Sequence, residues 1–210
     1  MTDPRKAGAL ILSNIQLFND AALLYEDIER EIFSKLDTHV QMWVDAMGWN
    51  GIIDLHGESK LWLSPSNWFS NDLDEDIFYY SIDYLNDDDD SYNIATFSGV
   101  GGTQVGISFN VEMSLFGKNK KLFRDLWKRE YALVADQLTT IGFSHLGFSQ
   151  KNKGFLFLPL VLDSMKLATA YENDDYSEVF IPLTEALGKL EKAVPIFDEI
   201  LAKAKKELLI

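Results

Sequence analysis

The run Ile77-Phe78-Tyr79-Tyr80-Ser81-Ile82-Asp83-Tyr84-Leu85 decides how the rest of the chain is read. Aromatic and β-branched side chains fill it, which predicts a strand. Around it, residues 61–117 read as the middle of an antiparallel sheet, and these 57 residues contain no lysine or arginine. They hold ten acids: Asp72, Asp74, Glu75, Asp76, Asp83, Asp87, Asp88, Asp89, Asp90 and Glu112. Of the chain's formal charge of −14, −10 therefore falls in this segment and −4 on the other 153 residues.

Working outward, residues 52–63 alternate, with Ile53, Leu55 and Leu61 on one side and Asp54, His56, Glu58 and Lys60 on the other. That period of two predicts one half-buried strand, ended by Ser64-Pro65-Ser66-Asn67. Residues 92–98 and 104–113 are predicted to pair as a hairpin about Val100-Gly101-Gly102-Thr103, where glycine supplies a positive φ. Four strands in succession make a meander.

Helices flank it. From 14 to 47 the apolar positions Leu17, Ala21, Leu24, Ile28, Ile32, Leu36, Val40, Trp43 and Met47 recur in steps of three and four, which predicts a long helix with an apolar stripe laid on the sheet. A second helix is predicted over 119–141, with Leu122, Leu126, Tyr131, Val134, Leu138 and Ile141 inward and Gly142 at its end. A further hairpin follows, 143–149 with 154–162 about Lys151-Asn152-Lys153. Residues 163–210 form a helical tail, with Asp163 or Ser164 capping one helix, Ser177 a second, and Pro195 opening the last. The expectation is a single α+β domain over 1–210, with no linker, repeat or low-complexity tract.

Composition narrows the function. At 210 residues and 47% hydrophobic content the chain can build its own core. It has no cysteine, so disulfides, thiol nucleophiles and cysteine-ligated metal sites are excluded. No apolar run reaches the ~20 residues needed to span a bilayer. The patch after Arg5 and Lys6 is shorter than a signal-peptide core with no small-residue cleavage site after it, so no signal peptide is expected. A cytoplasmic, soluble protein is expected. The isoelectric point of about 4.5 opposes direct binding of nucleic acid or an anionic membrane.

The candidate chemistry is sparse. On one strand, Asp54, His56, Glu58 and Lys60 would project together, a set able to hold a metal or move protons; the wet face of any half-buried strand shows the same pattern. Asp72-x-Asp74-x-Asp76 opens like a calcium loop with Asp83 at the twelfth position, yet Ile77 stands where the loop needs glycine. Gly99, Gly101, Gly102 and Gly106 lack the Lys-Ser/Thr and the following helix of a phosphate loop. Lys118, Lys120, Lys121, Arg124, Lys128 and Arg129, against Asp125 and Glu130, give +4 over 118–130. Such a cluster could touch phosphate, but in a negative whole-molecule field a solvated helix face that partly balances the acidic sheet is the expected reading. Ser98-Gly99 and Ser144-His145 do not form a nucleophile elbow.

The order helix, strand meander, helix, strand resembles the αβββαβ core of the restriction-endonuclease-like (PD-(D/E)XK) nucleases. The resemblance would imply an acid at one strand end and an acid-x-Lys on the next, holding a divalent metal. In this chain the acid-x-Lys is Glu58-Ser59-Lys60, on the first strand, and Asn93-Ile94-Ala95-Thr96-Phe97 carries neither acid nor lysine. The resemblance is one of element order.

Four adjacent carboxylates at Asp87, Asp88, Asp89 and Asp90 must sit in solvent, where they keep a sheet edge from aggregating or capture a cation. Beside Asp72, Asp74 and Asp76, with Tyr79, Tyr80, Tyr84 and Tyr92 nearby, they form an expected docking surface, aromatics for affinity and charges for encounter rate. The sequence thus points to a non-catalytic, inhibitor-, immunity- or antitoxin-like factor. It would need no cofactor and would bind a basic protein such as a nuclease or nucleic-acid-binding protein. The alternative is a divergent metal-dependent hydrolase or nuclease-like enzyme around Asp54, His56 and Glu58.

Overall fold

The structure is a computed structural model that describes residues 3–58, 60–70, 74–85, 93–100, 103–146 and 156–208. It is α+β, as the periodicity predicts. Helix α1 (Pro4–Ser13) is capped by Asp3, whose carboxylate accepts the Arg5 N–H at 3.0 Å, with proline at the first helical position, where no N–H is needed. The chain turns 89° into α2 (Ile15–Met47), which stops at Gly48 in the left-handed region at φ 64°. Among the described residues no single helix is long and apolar enough to cross a membrane.

Strands β1 (Asn50–Asp54) and β2 (Lys60–Ser64) come next, then a small ribbon of β3 (Phe69–Ser70) and β4 (Glu75–Asp76), then β5 (Phe78–Leu85). A five-residue helix α3 (Asn93–Phe97) precedes β6 (Gln104–Val111), and α4 (Lys120–Ile141) precedes the pair β7 (Ser144–His145) and β8 (Leu156–Pro159). Helices α5 (Ser164–Asn173) and α6 (Ile181–Leu208) follow. The main sheet runs β1-β2-β5-β6-β8-β7, every neighbouring pair antiparallel.

Alternation along the strands sends Leu63, Tyr80, Phe109 and Leu156 to one face, where α2, α4 and α6 cover them. Phe109 stacks on Phe197 of α6 at 3.9 Å and on Trp127 of α4 at 5.4 Å, while Trp49, just after α2, stacks on Tyr80. Trp68, fully buried, fills the space between Phe78, Tyr80, Phe109 and Phe197. An aromatic core of this size contributes on the order of 2 kcal/mol per buried ring from area alone.

Five details depart from the sequence expectation. Residues 52–63 are a hairpin, Asp54 pairing with Lys60, because the Asp54 carboxylate accepts the Gly57 N–H at 2.8 Å and closes a turn. Residues 93–97 are helical: β6 has β5 on one side and β8 on the other, so no edge remains for them, and Phe97 instead packs edge-on against Phe33 of α2 at 5.1 Å. No hairpin of these residues with β6 forms, although their composition favours strand; tertiary packing overrides it. On α4 the expected inward positions Leu126 and Leu138 are buried and Tyr131, Val134 and Ile141 pack half-buried against the core, but Leu122 is 56% exposed, and Phe123 and Trp127 are buried instead. In the tail, Asp163 caps α5 as expected, accepting the Met165 and Lys166 N–H groups, but it is Asp175, not Ser177, that accepts in the next turn, from the Ser177 N–H at 3.0 Å. Pro195 lies inside α6 instead of opening a helix. Burial of Leu187, Leu190, Ala193, Phe197 and Leu201 on both sides of it offsets an interior proline's cost of about 3 kcal/mol.

Candidate functional site

The acid-rich segment divides into solvent-facing and inward carboxylates. Asp72, Asp87, Asp88, Asp89, Asp90 and Tyr92 lie outside the described residues. Asp74, in a left-handed turn at φ 52°, and Glu75 on β4 are exposed. Asp76 is buried, and the Ser64 hydroxyl donates to it at 2.7 Å. Burial holds the Asp76 carboxyl above the ordinary carboxylate range, with the Ser64 hydrogen bond opposing. Asp83 is also buried and accepts from the Ser108 hydroxyl and the Tyr84 N–H, both at 3.0 Å. Asp76 and Asp83 are therefore structural acceptors, and Glu112 is a third, its carboxylate accepting the Ser114 N–H at 2.9 Å. Among the described residues, no lysine or arginine forms a salt bridge with Asp74, Glu75, Asp76, Asp83 or Glu112.

The tyrosines divide the same way, by strand parity. Tyr80 belongs to the core: it is fully buried, and its hydroxyl donates to the Leu190 carbonyl of α6 at 3.2 Å. Tyr79 projects from the opposite face, away from the helices, half-buried beside Trp62 of β2 at 6.1 Å. Burial first, then the charges of Glu112 and Asp83, push the Tyr79 hydroxyl pKa up, so it stays a neutral phenol.

That opposite face carries a rung of register partners, Trp62, Ser81, Ser108 and Phe157, across β2, β5, β6 and β8. The Asn110 amide donates to the Ser81 hydroxyl at 2.9 Å. Trp62, Tyr79 and Ser81 are half-buried on this face, whereas Ser108, Asn110 and Phe157 are buried. The carboxylates beside Tyr79 already accept hydrogen bonds, Asp83 from Ser108 and Tyr84 and Glu112 from Ser114.

The row Asp54, His56, Glu58 and Lys60 is bent around the β1–β2 turn. Asp54 serves the turn, Lys60 pairs with Glu58, and the exposed Lys60 is held charged first by that hydrogen bond and then by the Glu58 and Asp54 charges. The His56 N–H donates to Asp37 of α2 at 3.3 Å, and the Leu55 N–H to the same carboxylate at 2.9 Å. Asp37 thereby ties the turn to the long helix. Among the described residues, no group of three or more histidine and acidic side chains is placed to hold a metal ion.

One constellation has no sequence signature. A groove of about 230 Å3 between α2 and the α5–α6 connection is lined by Lys35, His39, Asp174, Tyr176 and Phe180. Lys35 pairs with Asp174 at 2.8 Å and lies 5.6 Å from the Tyr176 ring centre; the Tyr176 hydroxyl donates to Glu31 at 2.8 Å. His39 Nε2 lies 2.9 Å from the Thr184 hydroxyl, and burial lowers its pKa. These groups are internally paired. Only the i, i+4 spacing of Lys35 and His39 was local enough to read; the rest meet across more than a hundred residues.

No protein-family model, curated protein or solved structure with which the chain was compared matches it.

Proposed function

We propose that this chain is a non-catalytic binding factor, of the inhibitor, immunity or antitoxin kind, that takes up a basic protein partner in the cytoplasm through its acid-rich, aromatic sheet segment. One observation carries the reading: 57 consecutive residues hold ten acids and no lysine or arginine, and among the described residues no lysine or arginine forms a salt bridge with the acids of that segment. Carboxylates left uncompensated beside half-buried aromatics steer a cationic surface and then hold it. A nuclease or other nucleic-acid-binding protein has such a surface.

The test is capture of partners from the native cell by the immobilised chain, in low and high salt, compared with a variant carrying Asp87→Lys, Asp88→Lys, Asp89→Lys and Asp90→Lys. The expected result is a basic protein retained by the original chain and lost both on raising salt and in the variant. A partner of acidic surface, or retention indifferent to salt and to charge reversal, overturns the proposal.

A further inference from the structure

Residues 7–25 contain a single charged side chain, Asp20, and they form α1 and the first turns of α2, ahead of the sheet. Six large apolar side chains in this span, Leu10, Leu12, Ile15, Leu17, Leu23 and Leu24, are each 57–73% exposed. On α2 the positions Leu17, Ala21, Leu24 and Ile28 continue upstream the stripe of Ile32, Leu36 and Val40 that the fold buries. Gln16 and Asp20 flank this stripe on one side, joined by a hydrogen bond at 2.9 Å. The core-facing stripe thus runs off the end of its own core, and α1, turned through 89°, extends it as an L-shaped arm.

We infer that this arm packs against the arm of a second copy of the chain, forming a two-fold dimer. The exposed apolar side chains offer on the order of 800 Å2, the amount each partner supplies to a standard stable interface. Two L-shaped helix pairs related by a two-fold axis make a four-helix cluster, which closes apolar faces that a single pair leaves open. Charge agrees. Asp3, Arg5, Lys6 and Asp20 sum to zero in a chain of net charge −14, so arm-to-arm contact joins two copies where neither repels the other. A bilayer suits the arm less well: the acidic protein is repelled by anionic lipid, and the arm lacks the lysine- and arginine-rich face of interfacial helices.

The experiment is light scattering after gel filtration over a dilution series of the full chain. It is repeated for Leu17→Glu/Leu24→Glu and, independently, Leu10→Glu/Leu12→Glu, with circular dichroism to check folding. The expected mass of the original chain is twice the 23.9 kDa protomer, falling two-fold to the protomer in both variants at unchanged helix content. A monomer at all concentrations overturns the inference, as does a dimer that survives both double substitutions. A monomer that co-floats with phosphatidylcholine vesicles assigns the arm to a lipid surface and overturns it too.

Discussion

The indole N–H of Trp68 donates to the carboxylate of Asp198 at 2.7 Å, joining the turn after β2 to α6 across 130 positions of sequence. The Asn67 amide donates to the same oxygen at 2.9 Å. The indole ring is fully buried among four aromatic neighbours, so this one carboxylate both satisfies a buried donor and sets the height of α6 over the sheet. Asp198→Ala leaves that donor unpaired. A loss of about 1–3 kcal/mol is expected, read as a lower urea midpoint with unchanged slope, together with a change in tryptophan emission. An unchanged midpoint would show that the aromatic packing alone holds α6.

Gly106 on β6 is required by close approach. A Cβ there would lie 2.3 Å from the Leu158 carbonyl oxygen and 2.5 Å from the Phe157 ring. Gly106→Ala should cost roughly 2–3 kcal/mol. Adding Phe157→Ala should fail to restore stability, since the backbone oxygen of the neighbouring strand remains. Thermal melts of the single and double variants check both statements.

Glu130 of α4, only 5% exposed, accepts from Lys203 of α6 at 2.6 Å and from Arg129 at 2.8 Å. Those hydrogen bonds, Lys203 first, hold its carboxyl below the usual 4.5. A carboxyl with a depressed folded-state pKa stabilises fully above its unfolded value and loses that contribution as pH falls through the folded value. Glu130→Gln should therefore cost about 1 kcal/mol at neutral pH, a modest figure because Lys203 and Arg129 are half exposed and screened. The gap between variant and original should close as pH drops below about 4.5. A gap constant down to acid pH would contradict the pairing.

Adjacent acids on β4 should behave oppositely. Glu75 is exposed, so Glu75→Lys is expected to change stability by less than about 0.5 kcal/mol while, on the proposed function, weakening capture of a basic partner. Asp76 is buried on the Ser64 hydroxyl, so Asp76→Lys places an unpaired ammonium inside and should cost more than about 3 kcal/mol. Denaturation and binding measured on both variants separate a docking carboxylate from a structural one.

Local periodicity made α2, α4, β5, β6 and the β7–β8 pair legible, since 3.6- and 2-residue repeats report which side of an element is apolar. It misplaced residues 93–97 because strand propensity does not reveal whether a sheet edge is free. The same limit hid the split of the acid-rich segment: Asp76 stood in the expected docking surface, and nothing local set Asp83 apart, until the partners Ser64 and Ser108 were in place.

The sequence by itself determined the α+β class, the long helices and the confinement of −10 charge to one cation-free segment, because composition and short-range spacing are properties of the chain before it folds. Only the tertiary structure decided which carboxylates turn inward, which tyrosine is core and which faces out, that α6 runs unbroken through Pro195, and that the stripe of α2 outruns its sheet. Those outcomes depend on what lies opposite each side chain, and contacts between residues a hundred positions apart leave no local trace.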